Sequence, residues 1–195
     1  MEKLLELIQT RHSARELFDP GRALSKKDLH YILEAGRWAP TAHNMQNFEI
    51  IVVDGRKLLE SIANLKYPTS LVFVRENYQQ LSFSEEELRS KKVGILGAMF
   101  PPSWRKPDVK PEDIKEVEEN PYIRKAIQSS AALLLVLYDP RRRAPASEGD
   151  FLGIMSLGCV MENMWLMANA LGIGCHVVSS LSVGPVQEDL KSLLK

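Results

Sequence analysis

The sequence has few cysteines and no excess of charge of either sign. Cys159 and Cys175 are the only cysteines in 195 residues, too few for a disulfide scaffold or a four-cysteine zinc site. Both lie in apolar sequence, so we expect reduced thiols in the core of a cytoplasmic protein. The 25 basic and 25 acidic residues cancel, so no overall field attracts nucleic acid or an anionic membrane. Nucleic-acid binding is therefore disfavoured.

No segment predicts export or insertion into a membrane. The first six residues carry charges where a signal peptide needs an apolar core. The longest apolar stretch, Phe151 to Met161, ends at Glu162 and Asn163, short of the roughly 20 residues that a membrane span needs. We therefore expect a cytoplasmic protein that does not enter a membrane.

Motifs for hydrolysis, kinase chemistry and metal binding are also missing. The sequence contains no His-Glu-x-x-His, no Gly-x-Ser-x-Gly, no phosphate-loop Gly-Lys-Ser/Thr and no Gly-x-Gly-x-x-Gly. The four histidines do not pair at the spacing of metal ligands. We expect no metal site and no catalytic side chain, so in an enzyme a bound cofactor would carry the reactive atoms.

The hydrophobic periodicity predicts alternating helices and strands. Helices are expected over residues 4–8, 25–39, 57–65, 150–171 and 187–194, and strands over 48–53, 71–74, 131–137 and 175–181. The unbroken apolar run 131–137 predicts a central strand buried on both faces. Residues 75–125, rich in charge and proline, predict an insertion that is either a lid or a solvated helical decoration.

The helix expected over residues 150–171 is apolar on nearly all sides. A single sheet in a chain of this length cannot cover such a helix completely. We therefore expect part of it to pack against a second subunit, with Gly153, Ser156 and Gly158 permitting the close approach.

Two polar segments are suited to binding a phosphorylated heterocycle. Residues 11–15 combine two arginines with a serine at the end of a helix, a composition that binds phosphate through charge-assisted hydrogen bonds. Residues 40–47 form a loop of hydroxyl and carboxamide side chains, which offer donors and acceptors to a heterocycle edge. Taken alone, each segment is better explained as a solvated or hydrogen-bonded turn.

Taken together and in order, these segments resemble the nitroreductase family of FMN-dependent oxidoreductases. The resemblance rests on Arg11 to Arg15 followed by Phe18, on Ala39 to Gln46 leading into the strand at Phe48, and on Gly158 to Gly174. It covers most of the chain outside residues 75–125. It implies an α+β fold: a mixed, mainly antiparallel sheet flanked by helices in a single domain over residues 1–195, with 75–125 as a central insertion.

The resemblance also implies which residues bind the cofactor. Arg11 and Ser13 match positions that hold the ribityl phosphate, His12 falls in the same segment, and Arg15 matches a basic position near the pyrimidine edge of the flavin. Three further positions, Pro40, Thr41 and Asn44, match a loop that contacts the flavin from the other subunit of a homodimer, and Gln46 lies on the inner side of that loop. The strand end that lies along the flavin is matched by Val178, Ser179 and Ser180.

Several positions depart from the family pattern. Asn47-Phe48 stands where members often have Pro-Trp, and Ser156 stands where an acidic residue is usual. Members usually continue beyond the position of Lys195 into a strand with basic residues that close on the phosphate. Either the protein is naturally short or this sequence is a truncated version, and in both cases a phosphate ligand can be missing. Arg141 to Arg143 is a candidate substitute, although a solvated loop explains this triplet better.

The activity implied by the resemblance is hydride transfer from NAD(P)H, through FMN, to an electron-poor small molecule such as a nitroaromatic, quinone or enone. Two alternatives remain at this stage. A specialised flavin-dependent relative would carry out reductive dehalogenation or fragment the flavin itself, and a non-catalytic sensor would bind a flavin or nucleotide without turnover. A substrate profile and an assay of NAD(P)H oxidation would separate them.

Overall fold

The computed structural model describes residues 2–67, 86 and 122–195. The chain forms two compact units. The first consists of Met1–Ala63 and Ala126–Ser179, and the second of Asn64–Lys125 and Ser180–Lys195. All of the predicted cofactor residues except Ser180 therefore belong to the first unit.

The helices form where the periodicity predicts them, and their ends differ from prediction by a few residues. The described elements are α1 (Glu2–Thr10), α2 (Lys26–Arg37), β1 (Phe48–Val53), α3 (Arg56–Ala63), α4 (Tyr122–Ser129), β2 (Leu133–Tyr138), α5 (Phe151–Ala170) and α6 (Gly184–Leu193). Helix α2 begins as expected, because the Ser25 side chain accepts a hydrogen bond from the Asp28 backbone N–H. Helix α4 was not predicted, since its first turn lies in the segment interpreted as an insertion.

The two strands of the described chain pair with each other in antiparallel register, from Phe48 opposite Tyr138 to Val53 opposite Leu133. The α+β fold class is thus confirmed. The expectation that residues 131–137 are buried on both faces is wrong, because Leu135 is the one fully buried residue of β2 and Leu137 is exposed. The strand predicted at 71–74 lies outside the described residues, as does nearly all of the segment 75–125.

The core of the first unit lies where α2 and the sheet pack on α5. Its buried members include Ile32 of α2 together with Val160 and Met164 of α5, and Ile50 and Val136 of the sheet pack against them. Gly36 permits the close contact between the helices, because a Cβ there would lie 2.9 Å from Met164 Cγ. This packing holds α5 in place, and the polar segments 11–15 and 40–47 are bonded to this helix.

The segment predicted as a last strand, residues 175–181, is irregular and leads into a 3₁₀ turn at Ser180–Ser182. The alternating pattern of Cys175 to Val178 suits a strand, but a strand needs a neighbour for its ladder of hydrogen bonds. Within the described residues, no strand lies beside this segment, and its backbone bond to Ala14 is isolated. The strand prediction is therefore corrected.

Small residues on α5 were expected to face a second subunit, and two of the three contact their own chain instead. A Cβ on Gly153 would overlap the Tyr138 ring. Ser156 is buried and bonded to Ala42, while Gly158 alone has open space in front of it. The apolar side chains that α5 leaves exposed are Phe151, Ile154 and Met155.

By length and composition alone, the 20 residues of α5 are long and apolar enough to cross a membrane. The same properties suit the core helix of a water-soluble protein, and α5 packs against α1, α2 and β2. Its apolar character is therefore weak evidence for a membrane.

Candidate cofactor site

The side chain of Arg11 lies against α5 immediately after α1 ends. Its guanidinium stacks over the Trp165 ring, 4.1 Å from the ring centre, and its Nε lies 3.2 Å from Glu162 Oε1. This Nε makes no aligned hydrogen bond, and no described residue bonds to either Nη atom. Arg11 is thus fixed in position while its two outer nitrogens stay available to an anion.

The backbone around Arg11 is tied to α5 by side chains of that helix. Trp165 Nε1 donates to the carbonyl of His12 over 3.2 Å, and Asn169 Nδ2 donates to the carbonyl of Leu7 over 3.3 Å. The exposed His12 ring bonds at Nδ1 to the carbonyl of Thr10. These bonds set the direction in which the chain leaves α1 and leave Ser13 half-buried.

Residues 14 and 15 contact the segment that follows α5. The Ala14 N–H donates to the carbonyl of Cys175 over 2.9 Å, and Arg15 Nη1 lies 3.1 Å from His176 Nε2. A Cβ on Gly174 would lie 3.2 Å from Ala14 Cβ, so the glycine permits this approach. The structure therefore brings Arg15 to the start of the segment that carries the half-buried Val178 and the exposed Ser179.

Burial sets the protonation of the two groups beside Arg15. The pKa of His176 is lowered chiefly by burial and further by the positive charge of Arg15, so at neutral pH its ring is uncharged and accepts at Nε2. Burial raises the pKa of the Cys175 thiol, and a bond from the His176 backbone lowers it to a smaller extent. Cys175 is therefore a protonated thiol, and the positive charge at this edge belongs to Arg15.

The loop of residues 40–47 is closed by its own polar side chains. Thr41 accepts twice, at Oγ1 from the Gln46 backbone over 3.1 Å and at its carbonyl from the Asn44 backbone over 2.9 Å. Gln46 Nε2 donates to Asn44 Oδ1 over 3.4 Å. Pro40 is exposed at the start of the loop. The structure thus gathers Thr41, Asn44 and Gln46 in one turn, as predicted.

Three residues of this loop have a left-handed backbone: His43 and Asn44 with φ of 52°, and Gln46 with φ of 44°. Such conformations cost about 1–3 kcal/mol each for residues other than glycine, less for asparagine, and persist only where the surroundings enforce them. One enforcing contact comes from α5, where Ser156 Oγ accepts from the Ala42 N–H over 3.0 Å.

The arginine triplet lies beside this loop. Arg141 forms a bidentate pair with Asp139, with Nε 2.8 Å from Oδ1 and Nη2 3.1 Å from Oδ2. Arg142 Nη2 donates to the carbonyl of Met45 over 3.2 Å. Sequence analysis named this triplet only as a substitute phosphate ligand. It missed the bond of Arg142 to the Met45 carbonyl, because no side-chain pattern reveals a bond to a backbone carbonyl.

The two polar segments attach to different parts of α5 in one chain. The loop bonds to Ser156, whereas the arginine segment bonds to Glu162 and Trp165. Ser156 and Trp165 are nine residues apart, which corresponds to about 14 Å along an α-helix and roughly half a turn around it. The structure therefore brings residues 11–15 together with 174–179 and leaves residues 40–47 elsewhere on the same helix.

The chemistry of the arginine segment fits FMN. Two guanidinium groups and a hydroxyl within five residues suit a phosphate dianion, and the outer nitrogens of Arg11 are uncommitted within the described chain. The charged Arg15 beside an uncharged His176 suits the electron-rich edge of a heterocycle. Among residues 2–67, 86 and 122–195, no three His, Cys, Asp or Glu side chains form a group that could hold a metal ion.

Comparisons with known proteins identify one family. The family model described as "Nitroreductase family" matches residues 8–195. An Archaeoglobus fulgidus protein, provisionally named as an NADH dehydrogenase/NAD(P)H nitroreductase, is 40% identical over 63 residues, which make up 32% of this chain and 35% of that protein. The matched segments span about a third of the length of the curated relatives.

Solved structures share the fold over nearly the whole chain. A nitroreductase with bound FMN from Bacteroides fragilis superposes with a TM-score of 0.55 at 21% identity, covering 99% of this chain and 80% of that one. A BluB-like flavoprotein from Clostridium difficile superposes with a TM-score of 0.55 at 24% identity, covering 98% and 80%. At these identities the likeness establishes the fold alone.

Proposed function

The chain belongs to the nitroreductase family, and from this premise we propose that it is an FMN-dependent oxidoreductase. The proposed reaction passes a hydride from NAD(P)H to an electron-poor small molecule such as a nitroaromatic, quinone or enone. The observation that carries the proposal is the arginine segment, in which Arg11 is fixed with uncommitted outer nitrogens and Arg15 is held beside a neutral histidine.

Arg11 and Ser13 bind the phosphate of FMN in this proposal. Guanidinium–phosphate contacts are charge-assisted and bidentate, which gives both affinity and a fixed orientation. Trp165 and Glu162 orient Arg11 before the cofactor arrives, so less side-chain entropy is lost on binding. His12 contributes through its carbonyl, which anchors this segment to α5.

Arg15 stabilises negative charge at the pyrimidine edge of the cofactor. When bound, FMN supplies the hydride-transfer chemistry, which no side chain of this segment provides. The uncharged His176 ring accepts a hydrogen bond from Arg15 and so orients the guanidinium. The ring adds no charge of its own. Val178 and Ser179 continue from His176 and line the cofactor through their backbone. No general acid or base among the side chains is needed.

The loop residues Pro40, Thr41, Asn44 and Gln46 contact the cofactor from a second copy of the chain. The separation of the two segments along α5 supports this arrangement, because one chain presents them on different sides of the helix. The exposed apolar side chains of α5 and α1 support it too, since Phe151 is 66%, Ile154 62% and Leu4 59% exposed. The proposal is therefore a homodimer with sites at the interface.

The test is the visible spectrum of protein mixed with FMN, desalted, and then treated anaerobically with NADH or NADPH. Retained yellow colour that bleaches supports the proposed activity, and a panel of nitroaromatic, quinone, enone and halogenated acceptors then identifies the substrate class. Retained colour that does not bleach with either nucleotide favours the sensor. Failure to retain FMN rejects the proposed activity and a flavin sensor.

A single domain over residues 1–195, with 75–125 as an insertion, is part of the same proposal, as is a cytoplasmic location. The two free cysteines agree with a reducing compartment.

A further inference from the structure

A closed set of hydrogen bonds joins the end of the 40–47 loop to the turn after β2. Asn47 Nδ2 donates to the Arg142 carbonyl over 3.2 Å, and the Asp139 N–H donates to the Asn47 carbonyl over 3.0 Å. The Arg142 N–H donates to the Asp139 carbonyl over 3.1 Å, which closes the ring. We call these three residues the Asn47–Arg142 clasp.

The clasp directs the Arg142 side chain back onto the loop. Its Nη2 donates to the Met45 carbonyl over 3.2 Å, between the left-handed residues Asn44 and Gln46. A carbonyl at this point takes its direction from both neighbouring dihedral angles, so a donor fixed on it restrains the strained turn. Arg142 therefore holds the part of the loop that carries Asn44.

The side chain of Asn47 orients the backbone of Arg142 rather than filling space in the core. Its side chain is 2% exposed, and its Oδ1 is buried without a hydrogen-bond partner in the described chain. Leaving a buried amide oxygen unsatisfied is unfavourable, and an apolar side chain of similar size would avoid that penalty. What only the carboxamide supplies is the Nδ2 donor that fixes the Arg142 backbone.

We propose that Arg142, oriented by Asn47, is the positioning residue that fixes the loop in the conformation that presents Thr41 and Asn44 to the cofactor. The inference rests on the proposed function for the identity of the cofactor. The clasp itself is a property of the chain without any ligand, so the two can be tested separately.

The neighbouring Arg141 provides a matched control. It belongs to the same 3₁₀ turn, carries the same charge and pairs with Asp139, but within the described chain it forms no hydrogen bond or ion pair with the loop. Its side chain is 88% exposed. An effect of charge alone would be equal for Arg141→Met and Arg142→Met, whereas an effect of the bond to the Met45 carbonyl would be confined to Arg142.

The experiment compares wild type, R142M, R142K and R141M by amide hydrogen exchange over residues 41–47 in cofactor-free protein, and by FMN titration. We expect faster exchange at residues 42–46 in R142M only, and FMN binding weakened about tenfold, the effect of losing one hydrogen bond from a charged donor. R142K keeps a donor and should recover most of both. At saturating FMN the kcat of R142M should remain within about twofold of wild type, because Arg142 touches no reacting atom.

Unchanged hydrogen exchange in R142M would overturn the inference, whether or not the affinity for FMN changes. Faster exchange with unchanged FMN affinity would overturn the positioning role, as would equal effects of R141M and R142M. Wild-type protein that binds no FMN would reject the proposed function. The exchange data alone would then test whether Arg142 restrains the loop.

Discussion

The arginine segment and the 40–47 loop depend on the same helix but are built differently. Residues 11–15 are held by large side chains of α5, through a stacked guanidinium, an ion pair and an indole N–H. The loop is held by small, directed hydrogen bonds to backbone atoms and keeps three left-handed residues. The contacts of residues 11–15 therefore position charged groups, whereas those of the 40–47 loop maintain a backbone conformation.

This difference predicts how each region fails. Electrostatic positioning tolerates small displacements, because Coulomb energy changes slowly with distance. A strained loop depends on every restraint, since losing one hydrogen bond releases a conformation that is unfavourable by itself. Removing charge should therefore act directly on cofactor affinity, whereas removing a loop restraint should act first on local order and stability, and on affinity only through them.

The largest effect is expected for Arg11→Gln. Loss of its charged hydrogen bonds to phosphate should weaken FMN binding by about 10- to 100-fold, corresponding to 1.5–3 kcal/mol. The measurement is titration of cofactor-free protein by flavin fluorescence. Glu162→Gln is the matched variant, because it removes a carboxylate that orients Arg11 but keeps the guanidinium, so it should weaken binding much less than Arg11→Gln does. An equal or larger loss of affinity in E162Q would contradict this account.

A mixing experiment tests whether the two regions meet across subunits. Arg11→Gln and Asn44→Leu each damage one side of the proposed site. If the site is shared, statistical heterodimers restore one intact site in two, so refolding an equal mixture should recover about a quarter of wild-type FMN sites. Sites formed within one chain would recover none. Wild-type chains refolded with Arg11→Gln control for refolding yield.

A moderate effect is expected for Ser156→Ala. The substitution removes the acceptor for the Ala42 N–H and should lower the free energy of unfolding by about 1–2 kcal/mol, measured by urea denaturation. Ser61→Ala is the control, because Ser61 Oγ also donates to a carbonyl one helical turn earlier but is exposed and bonds to no loop. Equal losses in the two variants would show that the loop contact contributes nothing.

The smallest effect concerns pH. The pKa of His176 is lowered in the folded protein, so below about pH 6.5 the unfolded chain binds a proton that the folded chain resists. Stability should therefore be fully retained above that pH and fall as the pH drops below it. His176→Gln should flatten this fall between pH 7 and 5.5 in thermal unfolding. A decline identical to wild type would exclude His176 as its source.

Local signals predicted most of the elements. The Ser25 cap set the start of α2, and the β-branched run set Phe48–Val53 to the residue. The burial of residues 131–137 and the strand at 175–181 were mispredicted, because both depend on which strands lie alongside, and a strand's own sequence does not encode its neighbours.

The candidate site was likewise predicted only in part. The residue types of Arg11 to Arg15 predicted a phosphate-binding segment, and the structure gathers it with residues 174–179 through Arg15 and His176. The role of Arg142 could not be predicted, since it bonds a backbone carbonyl 97 positions away. Gly153 and Ser156 were assigned to the wrong neighbour because small size signals a close approach without identifying the approaching group.

The stacking of Arg11 on Trp165 gives the protein an intrinsic optical reporter. Indole emission depends on nearby charge and on the indole N–H bond, and Trp165 has both a guanidinium over its face and the His12 carbonyl at its Nε1. Trp38, in contrast, is 75% exposed, and the Arg37 guanidinium over its ring lies farther away, 5.8 Å from the ring centre. Any anion that draws Arg11 from the ring should change the colour or intensity of Trp165 fluorescence, so occupancy of the site can be followed without a label.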